Sequence, residues 1–230
     1  MANFDDQIMG MTGLTISGSS TTPSQTEVKT FLNDGVLDVT HKCIDSNPRE
    51  AINFSRVSAE QTANDTLDLN GAEIISVVRE SSVNNQWEEC RFVPPSMQFK
   101  VTDKESLDYA SEFNPVYTVL ENGIINVYPA PDTGGAKSFK VYYVNNAPEE
   151  GDGTDLEHSS STIKYFPNDK IYLVVIYAAI KCLEAKMADY TVEEEDSELV
   201  QSISNSLVNL KQQYENAFTS MYDKQNQGGR

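Results

Sequence analysis

The chain has 230 residues, enough for one domain or two small ones around a real core. Its hydrophobic fraction of 39% is that of a globular protein, and its net charge is -18, from 35 acidic against 17 basic residues. That balance argues against the basic footprint of proteins that read DNA or RNA sequence and leaves room for one past which DNA slides, because acidic surface repels phosphate; it is equally the ordinary signature of a soluble bacterial or viral protein.

Residues 1–23 are rich in Gly, Ser and Thr and show little periodicity. Ile8, Met9, Met11, Leu14 and Ile16 are apolar enough to dock, so this stretch reads as an arm. Asp5 and Asp6 stand where a signal peptide would be basic. At Ser24-Gln25-Thr26-Glu27 a capping box opens a helix whose apolar face is Val28, Phe31, Leu32, Val36, Val39, Cys43 and Ile44. Gly35 weakens it and Pro48 marks its end. Residues 49–70 read equally as a short helix or an extended strand, followed by loop.

Residues 72–146 are strand-rich. Segments 73–80, 87–93, 116–121, 124–128 and 137–144 are β-branched or alternating, and Pro94-Pro95, Pro129 and Pro131 stop them. Asn122-Gly123 predicts a two-residue type I′ hairpin. Five strands on short connections predict an antiparallel sheet, and its place between helical ends predicts an α+β fold.

Residues 147–166 form an acidic loop, and 167–224 hold two long helices joined at 189–193. In the first, Ile171 to Ile180 is apolar on every side, so it must be surrounded by protein. In the second, Val200, Ile203, Leu207, Leu210, Tyr214, Ala217 and Met221 keep a heptad seam that needs a partner along about 30 Å. One small domain offers little such surface, so the seam predicts a subunit that packs against neighbours. The domain plan is therefore an arm at 1–23, a helical bundle from 24–71 and 147–224, a β-rich domain at 72–146, and a polar tail at 225–230.

Candidate chemistry is sparse. His41 and Cys43 are two apart on a helix and point to different sides, so they do not close on one metal, and His158 sits in a loop. The run from Glu150 to Glu157 has calcium-loop residue types without the spacing of an EF-hand. Glu193-Glu194-Glu195-Asp196 suits the dipole at the start of the last helix. No phosphate loop, dinucleotide fingerprint or nucleophile elbow occurs, so neither enzyme activity nor cofactor is expected. Cys43, Cys90 and Cys182 are odd in number and scattered, which fits reduced thiols and synthesis in a cytoplasm. The apolar run is too short for the roughly 20 residues of a membrane span.

Three stretches carry a family resemblance: Ile74-Ile75-Ser76-Val77-Val78-Arg79-Glu80; Asn114-Pro115-Val116-Tyr117 through Asn122-Gly123 to Val127-Tyr128-Pro129-Ala130-Pro131; and Phe166-Pro167-Asn168-Asp169-Lys170 leading into the apolar helix. Together with the order of elements, they resemble the head-to-tail adaptor proteins of tailed bacteriophages, including the tail tubular protein A group of marine and cyanobacterial phages. The resemblance implies a virion neck protein, a homo-oligomeric ring, usually of twelve subunits, beneath the portal protein. It would hold a tail nozzle, stopper or tail-tube protein and pass double-stranded DNA without specific contact, with no membrane partner. It also implies an extended tail that binds a partner, here Gln225, Asn226, Gln227, Gly228, Gly229 and Arg230. A different ring-forming neck part, such as a stopper or tail terminator, is the neighbouring reading; a small enzyme or monomeric binding module is the distant one.

Overall fold

The structure, a computed structural model, describes residues 2–18, 21–81, 86–132, 137–193 and 197–227. In chain order the elements are α1 (Phe4–Thr12), α2 (Gln25–Ser46), a 3-10 helix (Pro48–Phe54), β1 (Ser55–Val57), β2 (Ile74–Glu80), β3 (Trp87–Glu89), β4 (Arg91–Phe92), α3 (Gln98–Thr102), β5 (Val116–Val119), β6 (Ile125–Tyr128), β7 (Phe139–Val144), α4 (Ile171–Glu193) and α5 (Ser197–Gln227). The fold is α+β, and the chain divides into two compact units, Met1–Asn53 with Ala147–Arg230, and Phe54–Asn146.

The first unit is helical. The capping box forms as its residues dictate: Ser24 accepts from the Glu27 backbone N–H, while the Ser24 N–H donates to Glu27 Oε2 at 2.7 Å. α4 is surrounded by α1, α2 and α5. Leu173, Val174, Val175, Ile176, Ala178, Ala179, Ile180, Cys182 and Leu183 are all buried, as an all-round apolar helix requires. Tyr172 is exposed and Tyr177 half-buried, so the enclosure is not total. Gly35 has a role that helix propensity hides. A Cβ there would stand 3.0 Å from the Tyr177 ring and 3.3 Å from the Val174 carbonyl, so it marks the close approach of α2 to α4.

Three readings of this unit are corrected. The arm contains a helix, α1, because Phe4 and Ile8, one turn apart, are buried and Asp5 and Asp6 favour its first turn. Loop carbonyls of Ser160 and His158 accept its leading N–H groups at 2.9 and 3.0 Å. α4 does not stop at 189: a Lys186–Asp189 ion pair and the Lys186 ammonium over the Tyr190 ring carry it to Glu193. The heptad seam finds its partner inside the chain. Ile203, Leu207, Leu210 and Tyr214 are buried in the first unit, where α5 packs on α4, and Tyr214 Oη donates to Asp38 Oδ2 of α2 at 2.5 Å.

A buried ion pair joins Lys170, at the foot of α4, to Glu50 of the 3-10 helix, with Cys43 Sγ 3.6 Å from the ammonium. Burial alone would lower the lysine pKa, but the carboxylate and thiol more than offset it, and the value is raised.

The second unit holds two sheets. One is antiparallel in the order β1-β7-β2-β3; the other has the order β4-β5-β6, with β4 parallel to β5. The single strand expected at 87–93 divides at Cys90, whose N–H donates to Val77 O in the first sheet, while the Arg91 N–H donates to Pro115 O in the second. Val77, Phe139 and Val141 of the first sheet share a buried core with Ile125 and Val127 of the second. This unit starts at Phe54 instead of residue 72, because Ser55 pairs with Val144. The β5–β6 hairpin is not the two-residue turn expected. A 3-10 turn at Glu121–Gly123 closes with the Leu120 N–H donating to Ile124 O, and Gly123, at φ +83°, supplies the left-handed residue of a three-residue loop.

Leu173→Ala should cost about 2–5 kcal/mol by leaving a cavity at the bundle centre. Gly35→Val should destabilise by about 1–3 kcal/mol despite replacing a poor helix former, since overpacking outweighs propensity. Urea unfolding of both variants checks these values, and an unchanged midpoint for Leu173→Ala would remove α4 from the core. Stability should also fall above about pH 9. Burial raises the Cys90 and Cys182 thiols from 9.0 to about 12, and burial with the Asp38 contact raises the Tyr214 phenol. The folded chain therefore holds protons that the unfolded chain releases, and each such group weakens folding as pH climbs through its unfolded pKa. The raised Lys170 acts with the same sign at higher pH. Urea midpoints at pH 7, 9 and 10 measure the slope.

Candidate interaction surfaces

The residue types that suggested chemistry are placed as follows. His41 is exposed on α2 while Cys43, two residues on, is buried. His158 Nδ1 lies 3.1 Å from Asp5 Oδ2 and ties the acidic loop to α1. Within that loop the Asp152 carboxylate accepts from the Thr154 N–H at 2.9 Å and its hydroxyl at 2.7 Å, which lowers its pKa. Glu157 and Asp155 face the Lys29 ammonium at 2.5 and 3.5 Å, and Glu149 faces Lys164 at 3.6 Å. The loop is closed by its own contacts, with Glu149 bridged to Asp155. Among the described residues no group of three or more His, Cys, Asp or Glu is arranged to hold a metal ion. Glu193 ends α4 instead of starting the last helix, and 194–196 lie outside the described residues.

Sequence reasoning missed the buried guanidinium of Arg79. Its Nε donates to the Pro129 carbonyl at 2.8 Å and its Nη1 to the Glu80 carbonyl at 2.9 Å, and among the described residues Nη2 has no partner. Burial lowers its pKa, opposed by the charge of Glu112. The alternation of β2 puts Arg79 on the same face as the buried Val77, where a charged residue is unexpected unless its guanidinium is hydrogen-bonded. The arginine ties β2 to the end of β6, which is a structural task.

Surfaces able to meet other proteins are of two kinds. In the second unit, Val93, Val101 and Ala110 are buried and anchor the irregular segment after β4. Phe99 and Phe113 stay 67% and 71% exposed and Leu107 is fully exposed, which is more large apolar side chain than an isolated surface needs. A cleft of about 530 Å³ lined by Pro95, Val119, Leu120, Glu121 and Ile124 lies in the same unit. In the first unit, the long outer face of α5 is exposed from Gln201 to Ser220. Of the six tail residues, Gln225, Asn226 and Gln227 continue α5 as helix, and Gly228, Gly229 and Arg230 lie outside the described residues.

Among the described residues no helix is long and apolar enough to cross a membrane. No curated protein matches the chain. The family model described as SU10 adaptor protein matches residues 11–230, nearly the whole chain and both units. The adaptors of that family are structural proteins of the bacteriophage neck, not enzymes. The chain belongs to the SU10 adaptor protein family.

Proposed function

We propose that the protein is a ring-forming subunit of the neck, seated beneath the portal, joining capsid to tail and leaving a channel for the genome. The observation that carries this reading is the family match over residues 11–230. Twelve copies, a likeness to the tail tubular protein A group, a tail-tube, stopper or nozzle protein below, and synthesis in the host cytoplasm belong to the same proposal. The helical unit supplies a rigid body, and the exposed apolar side chains of the second unit offer a separate face to a neighbouring component. A net charge of -18 on each copy gives the ring a negative field, so DNA passes without sticking. Cryo-electron microscopy of purified particles tests the placement directly: density for this chain must lie between portal and tail, and its absence from particles would end the proposal.

The isolated protein should show no sequence-dependent DNA affinity at physiological salt, because it lacks a basic stripe with interleaved aromatics. A specific shift in a gel assay would contradict the passage role. The tail residues Gln225, Asn226, Gln227, Gly228, Gly229 and Arg230 extend α5 toward a neighbouring subunit or the portal, with Arg230 pairing to an acidic group there. Deleting 225–230 should leave the melting temperature nearly unchanged and weaken docking on portal rings. Equal docking of truncated and full chains would make the tail a bystander.

A further inference from the structure

We infer that the outer face of α5 is the surface on which a second copy of this chain packs in the assembled ring, an inference that rests on the ring reading above. The inner seam of α5 is covered within the chain. On the opposite side, Gln201, Asn205, Val208, Gln212, Asn216 and Thr219 recur at spacings of three and four and form a second, outward stripe. All six are exposed, Val208 by 59%.

The charge of this face is unlike that of the chain around it. Between Leu199 and Met221 the only charged residues are Lys211 and Glu215. Lys211 is paired with Glu184 of α4 at 2.9 Å. A protein carrying -18 repels its own copies wherever acidic surfaces meet, so self-association needs a neutral face. Solubility does not explain the composition: a helix exposed only to water is better served by Glu and Lys, which favour helix more than Asn, Ser and Thr. Asn and Gln each donate and accept, so they meet an identical or another neutral surface of the same chain without leaving a group unsatisfied. An oppositely charged partner would instead call for a charged face. Interfaces are depleted of charge at their centres, and amides at heptad-like positions fix register.

Two variants of the full chain test this. Asn205→Glu with Asn216→Glu places like charges on the stripe, and Thr26→Glu with Thr30→Glu adds the same charge at exposed positions of α2. Assembly is read by mass photometry of the chain co-expressed with the portal protein of its own genome. The α5 variant should keep its helicity and melting temperature and assemble at least ten-fold more weakly, while the α2 variant assembles as the parent does. An α5 variant that assembles within two-fold of the parent, or an α2 variant that fails equally, overturns the assignment. Because Cys43, Cys90 and Cys182 are all buried, a Gln212→Cys variant gives a second readout. Its thiol should be shielded from maleimide in the assembly and reactive in the monomer, and full reactivity in both states also overturns it. A parent that never assembles with the portal instead refutes the ring reading itself, and this one with it.

Discussion

The architecture depends on the need of one apolar helix to be dry on every side. Ten successive residues from Ile171 to Ile180 carry no charge, and apart from the rings of Tyr172 and Tyr177 such a helix has no face to give to water. The rest of the first unit follows. α1 covers it with Phe4 and Ile8, α2 approaches closely enough that only Gly35 fits at the contact, and α5 closes the remaining side with its heptad seam. The polar anchors serve the same end. Lys170 and Glu50 hold the foot of α4, and Tyr214 with Asp38 and Lys42 bridges α5 to α2.

That enclosure changes what the sequence pattern means. A heptad seam states that a helix needs a partner and is silent on whose surface provides it. Val200 to Met221 read as a demand for a neighbouring subunit, yet the chain meets most of it with its own α4 and α2. Any face of α5 for a neighbouring copy must therefore lie on its exposed side, where charge is scarce, and not on its buried seam. Hydrophobic demand builds the subunit, and in the proposed ring electrostatic tolerance would decide where two copies meet.

What was legible in the sequence was whatever local chemistry decides alone. Ser24 and Glu27 define a helix start without outside help, and the isotropic apolarity of 171–180 dictates burial in any context. The α+β class followed from the order of such segments. What was not legible required a partner distant in sequence. Ser55–Val57 becomes a strand only because Val144 and its neighbours lie alongside, so residues 49–70 stayed ambiguous. The division at Cys90 and the parallel pairing of Arg91 with Val116 depend on a second sheet that no alternation announces. Gly35 looked like a defect because its value lies in Tyr177 and Val174, far along the chain. For the surfaces the position is similar: residues 96–114 carry no periodic pattern, because Phe99, Leu107 and Phe113 face outward while Val101 and Ala110 anchor the segment.

A ring of the proposed kind would face two opposed electrostatic requirements. A channel that passes DNA is best lined with negative charge, so that phosphates slide past. Subunits that share one acidic sequence repel one another as they gather, and each added copy raises the cost. Uniform acidity would satisfy the first and defeat the second. Uneven distribution reconciles them. Acidic residues concentrate in the 149–157 loop and at 193–196, and the 149–157 carboxylates have partly neutralising partners in Lys29 and Lys164. The long outer face of α5 is left to amides and hydroxyls. Such a face contributes little attraction by itself in water, since amides exchange one set of hydrogen bonds for another. In the proposed ring its value would be that it does not oppose contact, leaving modest contributions from Val208 and from a portal template to bring copies together. On the ring proposal, such a face would favour assembly on a template over assembly in free solution, since neutrality permits contact without driving it.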